Sequence, residues 1–427
     1  MEEKVMKEQD TIITFWGGIE TIGGSIVSFQ KGRYRLITDF GAYVGVDVEE
    51  LADETQTLAL LKEGKLPPIP DFYEDNELQT IVCLTHLHLD HLGSLNHLPK
   101  DIEVWLSQEA YTFYQALEQS NYLPKYAVKW RPVEWEETLT FGPFTIQFLP
   151  SDHDTLGAAA IFIETEDLKV IQSGDFRLSG FRPDDVWQWV QKARHFKPDL
   201  LLIEGTAFSF DEAIDPPRDP IEDHIIPLKK ATEKALVKTV QDLGQKEEVM
   251  VYNGYSQNIE RLMALIQLMS QLNRQVVVSS RMKELLDQMT DQPLNVLSWS
   301  DDLIELIRAH PQNYFIQIEA EDTFIFGRIP SGIYLHSNGM PLGNFMPGYV
   351  EYVQHIISHG WQFIDLSSSG HATKNDLLTV SYMINAELTV GWHTFGAENY
   401  QIALEEIGLR SFLPEIGKNY SSCEINH

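Results

Sequence analysis

The sequence has only two cysteines, Cys83 and Cys423, among its 427 residues. So few cysteines exclude a disulfide framework, and neither lies in a C-x-x-C motif. No run of 18 apolar residues is present, and the charged start MEEKVMKEQD lacks the apolar core of a secretion signal. We therefore expect a cytoplasmic protein without a membrane partner.

Basic residues are also scarce, because 32 Lys and Arg stand against 63 Asp and Glu, a formal net charge of −31. A chain with this charge repels polyanions at long range. A nucleic-acid substrate would therefore need a local positive field, supplied by metal ions or by a basic cleft.

Strands that end in polar side chains dominate the first half of the chain. DLLLIEGT, for example, predicts a buried strand, and Ser107 is placed to cap a helix over residues 108–118. Five strand ends carry potential metal ligands: Asp39, His86–His91, His153, Asp175 and Glu204. Five such strand ends predict one common site at a sheet edge.

The pattern changes after Thr206, where helices alternate with strands, starting with a predicted helix over about 221–243. This alternation is typical of a parallel sheet with helices on its faces. Strands followed by polar residues return from Gln362. We predict a discontinuous first domain, residues 1–206 plus 362–427, and an inserted α/β domain, residues 207–361.

Residues 84–94, LTHLHLDHLGS, contain the densest group of potential metal ligands. On a strand, His86 and His88 project to the same side, and Asp90 and His91 then lie on the following turn. Imidazole and carboxylate suit zinc, with manganese as the alternative. Because one ion does not fit both residue pairs, we predict two metal ions, one for each pair.

Each ion needs further ligands from elsewhere in the chain. His153 in PSDHDTLG is a candidate third ligand, Asp175 in QSGDFR is a candidate bridge, and His393 is a candidate for the second ion. We expect Asp39 to be structural, bonding the motif backbone or a ligand histidine. We expect His97, which lies nearby, at the surface.

THLHLDHLG resembles the HxHxDH signature of the metallo-β-lactamase superfamily, and Asp39, His153 and Asp175 follow the order of that family's other motifs. The resemblance implies an αβ/βα sandwich with a dinuclear metal site between two sheets.

The chain also resembles the β-CASP branch of that superfamily. IEGT with Glu204, SSSGHA with His371 and HTFGAE with His393 are similar to its three motifs. GYSQNIERL and VVVSSRM are similar to segments of the inserted domain in the ribonuclease J family. Only about 30 residues follow His393, so we expect the additional C-terminal domain of that family to be absent.

The resemblance implies a ribonuclease with two zinc ions that hydrolyses single-stranded RNA, as a 5′–3′ exonuclease, an endonuclease or both. Asp90 would hold the second metal and position or deprotonate the water. Glu204 would fix the tautomer of a ligand histidine. His371 would contact the scissile phosphate or protonate the leaving oxygen.

Three residues are candidates for contacts with substrate phosphate. Ser369 lies in a loop of small residues that could present N–H groups to phosphate. Ser256 and Arg281 follow strands of the predicted inserted domain, where the ribonuclease J family has a 5′-phosphate pocket. Arg281 could grip a terminal phosphate through two parallel bonds.

Two other functions remain open. One is a small-molecule metallo-hydrolase, such as a cyclic nucleotide phosphodiesterase or a lactonase-like enzyme. The other is a non-catalytic RNA-binding relative, which the complete set of candidate ligands disfavours. The large inserted domain favours a polymer substrate over a small ester. The sequence also leaves open whether the chain forms a homodimer.

Overall fold

The computed structural model describes residues 10–43, 46, 53–73, 77–210, 224–290 and 292–426. The strands in these residues are β1 (Ile12–Phe15), β2 (Val27–Lys31), β3 (Tyr34–Thr38), β4 (Gln79–Cys83), β5 (Glu103–Ser107), β6 (Lys129–Val133), β7 (Leu139–Phe141), β8 (Phe144–Pro150), β9 (Ala159–Glu164), β10 (Lys169–Gln172), β11 (Leu200–Glu204), β12 (Ile225–Pro227), β13 (Met250–Gly254), β14 (Gln275–Val278), β15 (Val296–Ser298), β16 (Tyr314–Gln317), β17 (Ile333–Ser337), β18 (Gln362–Asp365), β19 (Leu388–Trp392) and β20 (Asn419–Ser421).

The α-helices in the same residues are α1 (Glu54–Lys62), α2 (Leu89–Leu92), α3 (Gln108–Gln119), α4 (Pro183–Phe196), α5 (Glu233–Leu243), α6 (Ile259–Gln271), α7 (Ser280–Gln288), α8 (Leu303–Ala309), α9 (Tyr349–Ser358), α10 (Lys374–Ile384), α11 (Ala397–Glu406) and α12 (Ser422–Ile425). The predicted helix after Ser107 is confirmed as α3, whose first turn is capped by the Ser107 hydroxyl.

Two mixed sheets pack face to face. The first has the strand order β20-β1-β2-β3-β4-β5-β6, and the second has the order β19-β11-β10-β9-β8-β7. Buried side chains from both sheets, such as Phe29, Leu36, Ile161 and Leu202, form one apolar cluster between them. Helices α4, α10 and α11 cover the other face of the second sheet with a separate cluster that includes Trp189 and Tyr400.

The third sheet is all parallel, with the order β12-β18-β17-β13-β16-β14-β15. Its strands all lie, in sequence, between β11 and β19, which are neighbours in the second sheet. We call it the inserted sheet. The predicted architecture, an αβ/βα sandwich with an inserted parallel sheet, is confirmed.

The structure differs from the sequence prediction at the first and the last strand of the inserted sheet in chain order. The helix expected over about 221–243 is wrong at its start, because residues 225–227 form β12 and α5 begins only at Glu233. Pro227 lacks the N–H that a helix interior needs, and it closes an edge strand instead. At the other end, β18 pairs with β17 in the inserted sheet, although we placed Gln362 in the first domain. Residues 221–223, where the predicted helix was expected to begin, lie outside the described residues.

In the part of the chain that the structure describes, none of the helices combines the length and the apolar character that a membrane span requires.

Candidate metal centre

The sequence-predicted site residues meet because of strand direction. Strands β8, β10, β11 and β19 all run the same way, so their carboxyl ends lie at one edge of the second sheet. His153, Asp175 and His393 follow three of these strands, and Glu204 is the last residue of the fourth. The motif that starts at His86 follows β4 of the facing sheet and continues into α2.

The first group of donors consists of His86, His88 and His153, with one nitrogen from each lying within 4.8 Å of the others. His153 Nε2 is 3.1 Å from His88 Nδ1. Imidazole nitrogens at this separation suit neighbouring positions around one zinc ion.

The second group consists of Asp90, His91, Asp175 and His393. The Oδ2 atom of Asp175 is 3.3 Å from His91 Nε2 and 3.4 Å from His393 Nε2. The same oxygen is 3.7 Å from His86 Nε2 in the first group. Asp175 therefore lies between the two groups, where a bridging carboxylate is needed.

Four of the donor atoms that face this space have no hydrogen-bond partner. They are buried, and they are His86 Nε2, His91 Nε2, His393 Nε2 and Asp175 Oδ2. An unpartnered buried polar atom costs about 1–3 kcal/mol, so four around one space need a common explanation. Metal ions would satisfy them together, and the residues present fit two ions bound by imidazole and carboxylate.

The second ring nitrogen, Nδ1, of His86 and of His91 contacts a protein oxygen. Asp39 Oδ2 lies 2.9 Å from His91 Nδ1, and Asp39 Oδ1 accepts the backbone N–H of Thr85 at 2.8 Å. Thr85 Oγ1 is in turn 3.0 Å from His86 Nδ1. Asp39 thus contacts both the motif backbone and a candidate ligand histidine, the two alternative partners considered for it from the sequence.

His393 has an unusual backbone conformation with φ at +54°. Its N–H donates to the carbonyl of Gly18 at 2.6 Å, and its Nδ1 is 2.8 Å from Ser25 Oγ. A left-handed conformation is uncommon for residues other than glycine and is often found at functional sites. The surrounding contacts therefore orient the imidazole of His393.

The two donor groups differ in their protonation. Burial lowers the pKa of His86 and His88 and lowers the pKa of His153 to about 3, so these imidazoles are neutral. Burial also disfavours the charged form of His91, but the carboxylates of Asp175 and Asp39 raise its pKa well above the ordinary value. A metal ion entering the second group would displace that proton.

Glu204 contacts His371 and not one of the seven candidate ligands. Its Oε1 is 3.4 Å from His371 Nδ1, and its Oε2 accepts the backbone N–H of Thr206. Burial disfavours the charged form of His371, but Glu204 raises its pKa to about 9. His371 Nδ1 is also 3.8 Å from Asp175 Oδ2, so the Glu204–His371 pair lies directly beside the metal-ligand groups.

The candidate phosphate contacts are separated in the structure. Ser256 and Arg281 line one cavity of about 220 Å³. The Arg281 guanidinium is already paired there with Glu319 and is 3.6 Å from Glu321. Ser369 instead exchanges hydrogen bonds with the backbone of His371. The phosphate-binding roles of these three residues remain predictions.

Sequence reasoning missed Asp154, which follows His153 directly. Its Oδ1 is buried, has no hydrogen-bond partner and lies 3.5 Å from His88 Nε2. The signal was present in the SDHD stretch, where we considered only the histidine. The expectation for His97 was wrong, because its side chain is buried and its Nδ1 lies 2.9 Å from Thr57 Oγ1.

Comparisons with known proteins identify the domain that contains these residues. A model of the β-lactamase superfamily domain matches residues 59–251, which include the HxHxDH motif, His153 and Asp175. A solved structure of a protein of unknown function from Enterococcus faecalis superposes with a TM-score of 0.81 and 25% identity, covering 96% of this chain and all of that one.

Curated relatives are ribonuclease J proteins. The protein from Helicobacter pylori is 22% identical over 64% of this chain and 37% of its own length. The protein from Mycoplasma genitalium is 19% identical over 87% of this chain and 65% of its own length. The match thus spans just over a third of the first relative and less than two thirds of the second. The chain therefore carries a metallo-β-lactamase superfamily domain and is distantly homologous to ribonuclease J.

Proposed function

We propose that the protein is a dinuclear zinc-dependent ribonuclease that hydrolyses phosphodiester bonds of single-stranded RNA. The observation that carries this proposal is the pair of donor groups joined by Asp175, with the Glu204–His371 pair beside them. The metal-ligand groups support a metallo-hydrolase of this fold. The adjacent histidine supports a charged substrate such as a phosphodiester.

Two zinc ions in these groups would lower the pKa of a shared water towards ~7 and offset the charge that grows on a phosphodiester during attack. The seven proposed ligands are His86, His88, Asp90, His91, His153, Asp175 and His393. Asp90 is the most exposed of the carboxylates in these groups, with 29% of its side chain accessible. We assign Asp90 the additional task of positioning or deprotonating the water.

His371 is suited to the substrate side of the reaction. Its side chain is 26% exposed, whereas the Glu204 side chain behind it is 1% exposed. The buried carboxylate favours a protonated imidazole. A protonated His371 would donate a hydrogen bond to a phosphate oxygen or give its proton to the leaving oxygen.

The inserted sheet contributes to the proposed site, because its strand β18 leads into the loop that carries His371. This loop approaches Glu204 of the second sheet, so the site is built from both parts of the chain. The similarity to ribonuclease J supports RNA as the polymer.

A small phosphodiester, such as a cyclic nucleotide, is the second candidate. It is favoured by the acidic surroundings of Arg281, since Glu319 and Glu321 would repel a terminal phosphate. These carboxylates also neutralise the guanidinium that an RNA 5′-phosphate would need.

The test combines metal analysis with a substrate panel. The purified protein is expected to bind two zinc ions per chain and to degrade single-stranded RNA. The panel contains 5′-monophosphate RNA, 5′-hydroxyl RNA, DNA of the same sequence and cyclic nucleotides. The Asp175→Ala variant, purified in the same way, shows whether activity comes from a contaminating nuclease.

Each outcome has a clear meaning. Mononucleotide release restricted to 5′-monophosphate RNA would support exonuclease action and the pocket with Ser256 and Arg281. Internal cleavage independent of the 5′ end would support an endonuclease. Hydrolysis of cyclic nucleotides alone would indicate that the substrate is a small phosphodiester and not RNA. A protein that binds metal but cleaves none of these would contradict the proposal.

A further inference from the structure

Four of the five histidines in the two donor groups share one orientation. Each has Nδ1 directed towards a protein oxygen and Nε2 towards the space between the groups. The protein oxygens are Thr85 Oγ1 for His86, Asp39 Oδ2 for His91, the Gly370 carbonyl for His153 and Ser25 Oγ for His393. Such contacts fix the tautomer and tilt of metal-binding histidines.

His88 has the opposite orientation. Its Nδ1 is 3.1 Å from His153 Nε2, which faces the space between the groups. Its Nε2 therefore points to the protein side. If Nδ1 supplies the lone pair for a metal ion, the single proton of the neutral ring must reside on Nε2. That N–H is buried and needs an acceptor, and it has none within hydrogen-bond distance.

Asp154 is the available acceptor. Its Oδ1 is 3.5 Å from His88 Nε2, and both atoms are buried and unpartnered. The side chains of His88 and Asp154 are each 14% exposed, so water does not readily replace the missing contact. Asp154 Oδ1 is also 3.4 Å from His153 Nε2, but that nitrogen already faces the first donor group.

We propose that Asp154 is a positioning residue that accepts the Nε2–H of His88 and thereby presents His88 Nδ1 to the first metal ion. This inference rests on the proposed metal centre and extends it by one residue. It completes the pattern, since every histidine in the two groups then has a protein acceptor for its second nitrogen.

Gly370 provides independent support for a fixed position of Asp154. A Cβ atom at Gly370 would lie 2.6 Å from Asp154 Oδ2, so any other residue at this position would have to displace the Asp154 carboxylate. The Gly370 carbonyl also contacts His153 Nδ1. A single glycine therefore leaves room for Asp154 and orients the neighbouring histidine.

The first test measures zinc affinity by equilibrium dialysis of the full chain. Asp154→Ala is expected to weaken one of the two zinc sites about 10–100-fold, as is typical when an outer partner of a ligand is removed. Asp154→Asn retains an oxygen that accepts a hydrogen bond, so it should restore most of the affinity. Asp184→Asn, on the exposed face of α4, is the matched control and should bind like the wild type.

The second test identifies the metal-binding nitrogens. In protein with ¹⁵N-labelled histidine and bound ¹¹³Cd, one histidine should couple to cadmium through Nδ1 and four through Nε2. The Nδ1 coupling should vanish in His88→Ala, which assigns it, and should persist in Asp154→Asn. Coupling of all five histidines through Nε2 would overturn the inference.

The outcomes separate this inference from the proposed function. A wild-type chain that binds no zinc contradicts both. Two zinc ions bound equally well by the wild type and by Asp154→Ala contradict only the role of Asp154. Equal weakening by Asp154→Asn and Asp154→Ala would also overturn it, because it would indicate that the carboxylate charge binds the metal directly.

Discussion

At the scale of single residues, the candidate centre depends on side chains that are costly without a ligand. His86, His91 and His393 are almost completely buried, yet their Nε2 atoms have no partner. Buried polar atoms are normally hydrogen-bonded, so these positions are not explained by folding stability alone. Their arrangement is explained if these histidines bind metal ions and lower the folding stability of the metal-free protein.

His88→Ala should abolish hydrolysis while the fold remains intact. The change removes one of three donors in the first group, so we expect one zinc ion to be lost and the rate to fall at least about 100-fold. The His88 ring packs against His86, His153 and Tyr255 within the site, and its removal leaves the sheets and helices intact, so the circular dichroism spectrum should not change. His195→Ala, on the surface of α4, is the control. Full activity of His88→Ala would show that His88 is not a ligand.

The candidate ligands could be predicted because four of them lie within six positions and the others follow strands. Apart from Asp39, the outer partners of these ligands could not be predicted. Ser25, Thr85 and the Gly370 carbonyl are ordinary groups until the chain folds and brings them to a ring nitrogen. The sequence likewise did not reveal that Arg281 is paired, since its contact with Glu319 depends on the order of strands in the inserted sheet.

At the scale of secondary structure, the turn between β9 and β10 joins both ends of the described chain to the second sheet. Asp167 in this turn accepts the N–H of Thr11 at 2.8 Å and the hydroxyl of Ser422, and it pairs with Lys31. Thr11 precedes β1 and Ser422 begins α12. One carboxylate thus fastens an amino-terminal strand and a carboxyl-terminal helix.

Asp167→Asn should lower the free energy of unfolding by about 1–2 kcal/mol at neutral pH, because it replaces a charged hydrogen-bond acceptor by a neutral one. The expected loss is modest because the side chain is partly exposed. Burial opposes ionisation of Asp167, but Lys31, Ser422 and Thr11 lower its pKa below the ordinary value. Urea denaturation at a series of pH values measures the effect.

The pH dependence has a definite sign. A carboxyl group with a lowered pKa in the folded state stabilises the protein above its unfolded pKa of about 4. This stabilisation is lost as the pH falls through the folded pKa. The difference between wild type and Asp167→Asn should therefore be constant above about pH 5 and shrink below about pH 4. Glu166→Gln, in the same turn but exposed, should show no such difference.

The short strand β12 shows why the secondary-structure prediction failed there. The residues before α5 contain apolar and charged side chains that suit either state, and propensity alone does not separate them. The decisive contact is with β18, more than 130 residues later in the chain. Long-range pairing of this kind is not visible in a local pattern.

At the scale of the whole molecule, a buried ionic network joins the sandwich to the inserted sheet. Glu233 at the start of α5 accepts hydrogen bonds from Arg177 at 2.8 Å and from Arg261 of α6 at 2.7 Å. Arg177 also pairs with Asp152, the neighbour of His153. All four side chains are completely buried. The network therefore links the position of α5 and α6 to the loops that carry His153 and Asp175.

Glu233→Ala should destabilise the protein by about 3–5 kcal/mol, because two buried guanidinium groups lose their shared partner. The loss is measured by chemical denaturation, with Glu233→Gln as a milder variant that keeps the shape of the side chain. Glu109→Gln is the control, since the partly exposed pair of Glu109 with Arg182, at 3.6 Å, should contribute less than about 1 kcal/mol. Equal stability of Glu233→Ala and the wild type would show that the network does not hold the two parts together.

The position of β19 has a consequence for the order in which the protein is made. His393 reaches the second donor group only after β19 has paired with β11, a strand completed almost 200 residues earlier in the chain. During synthesis from the amino end, the growing polypeptide carries His86, His88, Asp90 and His91 long before the last histidine exists. The second donor group therefore stays incomplete until almost all of the described chain has been synthesised.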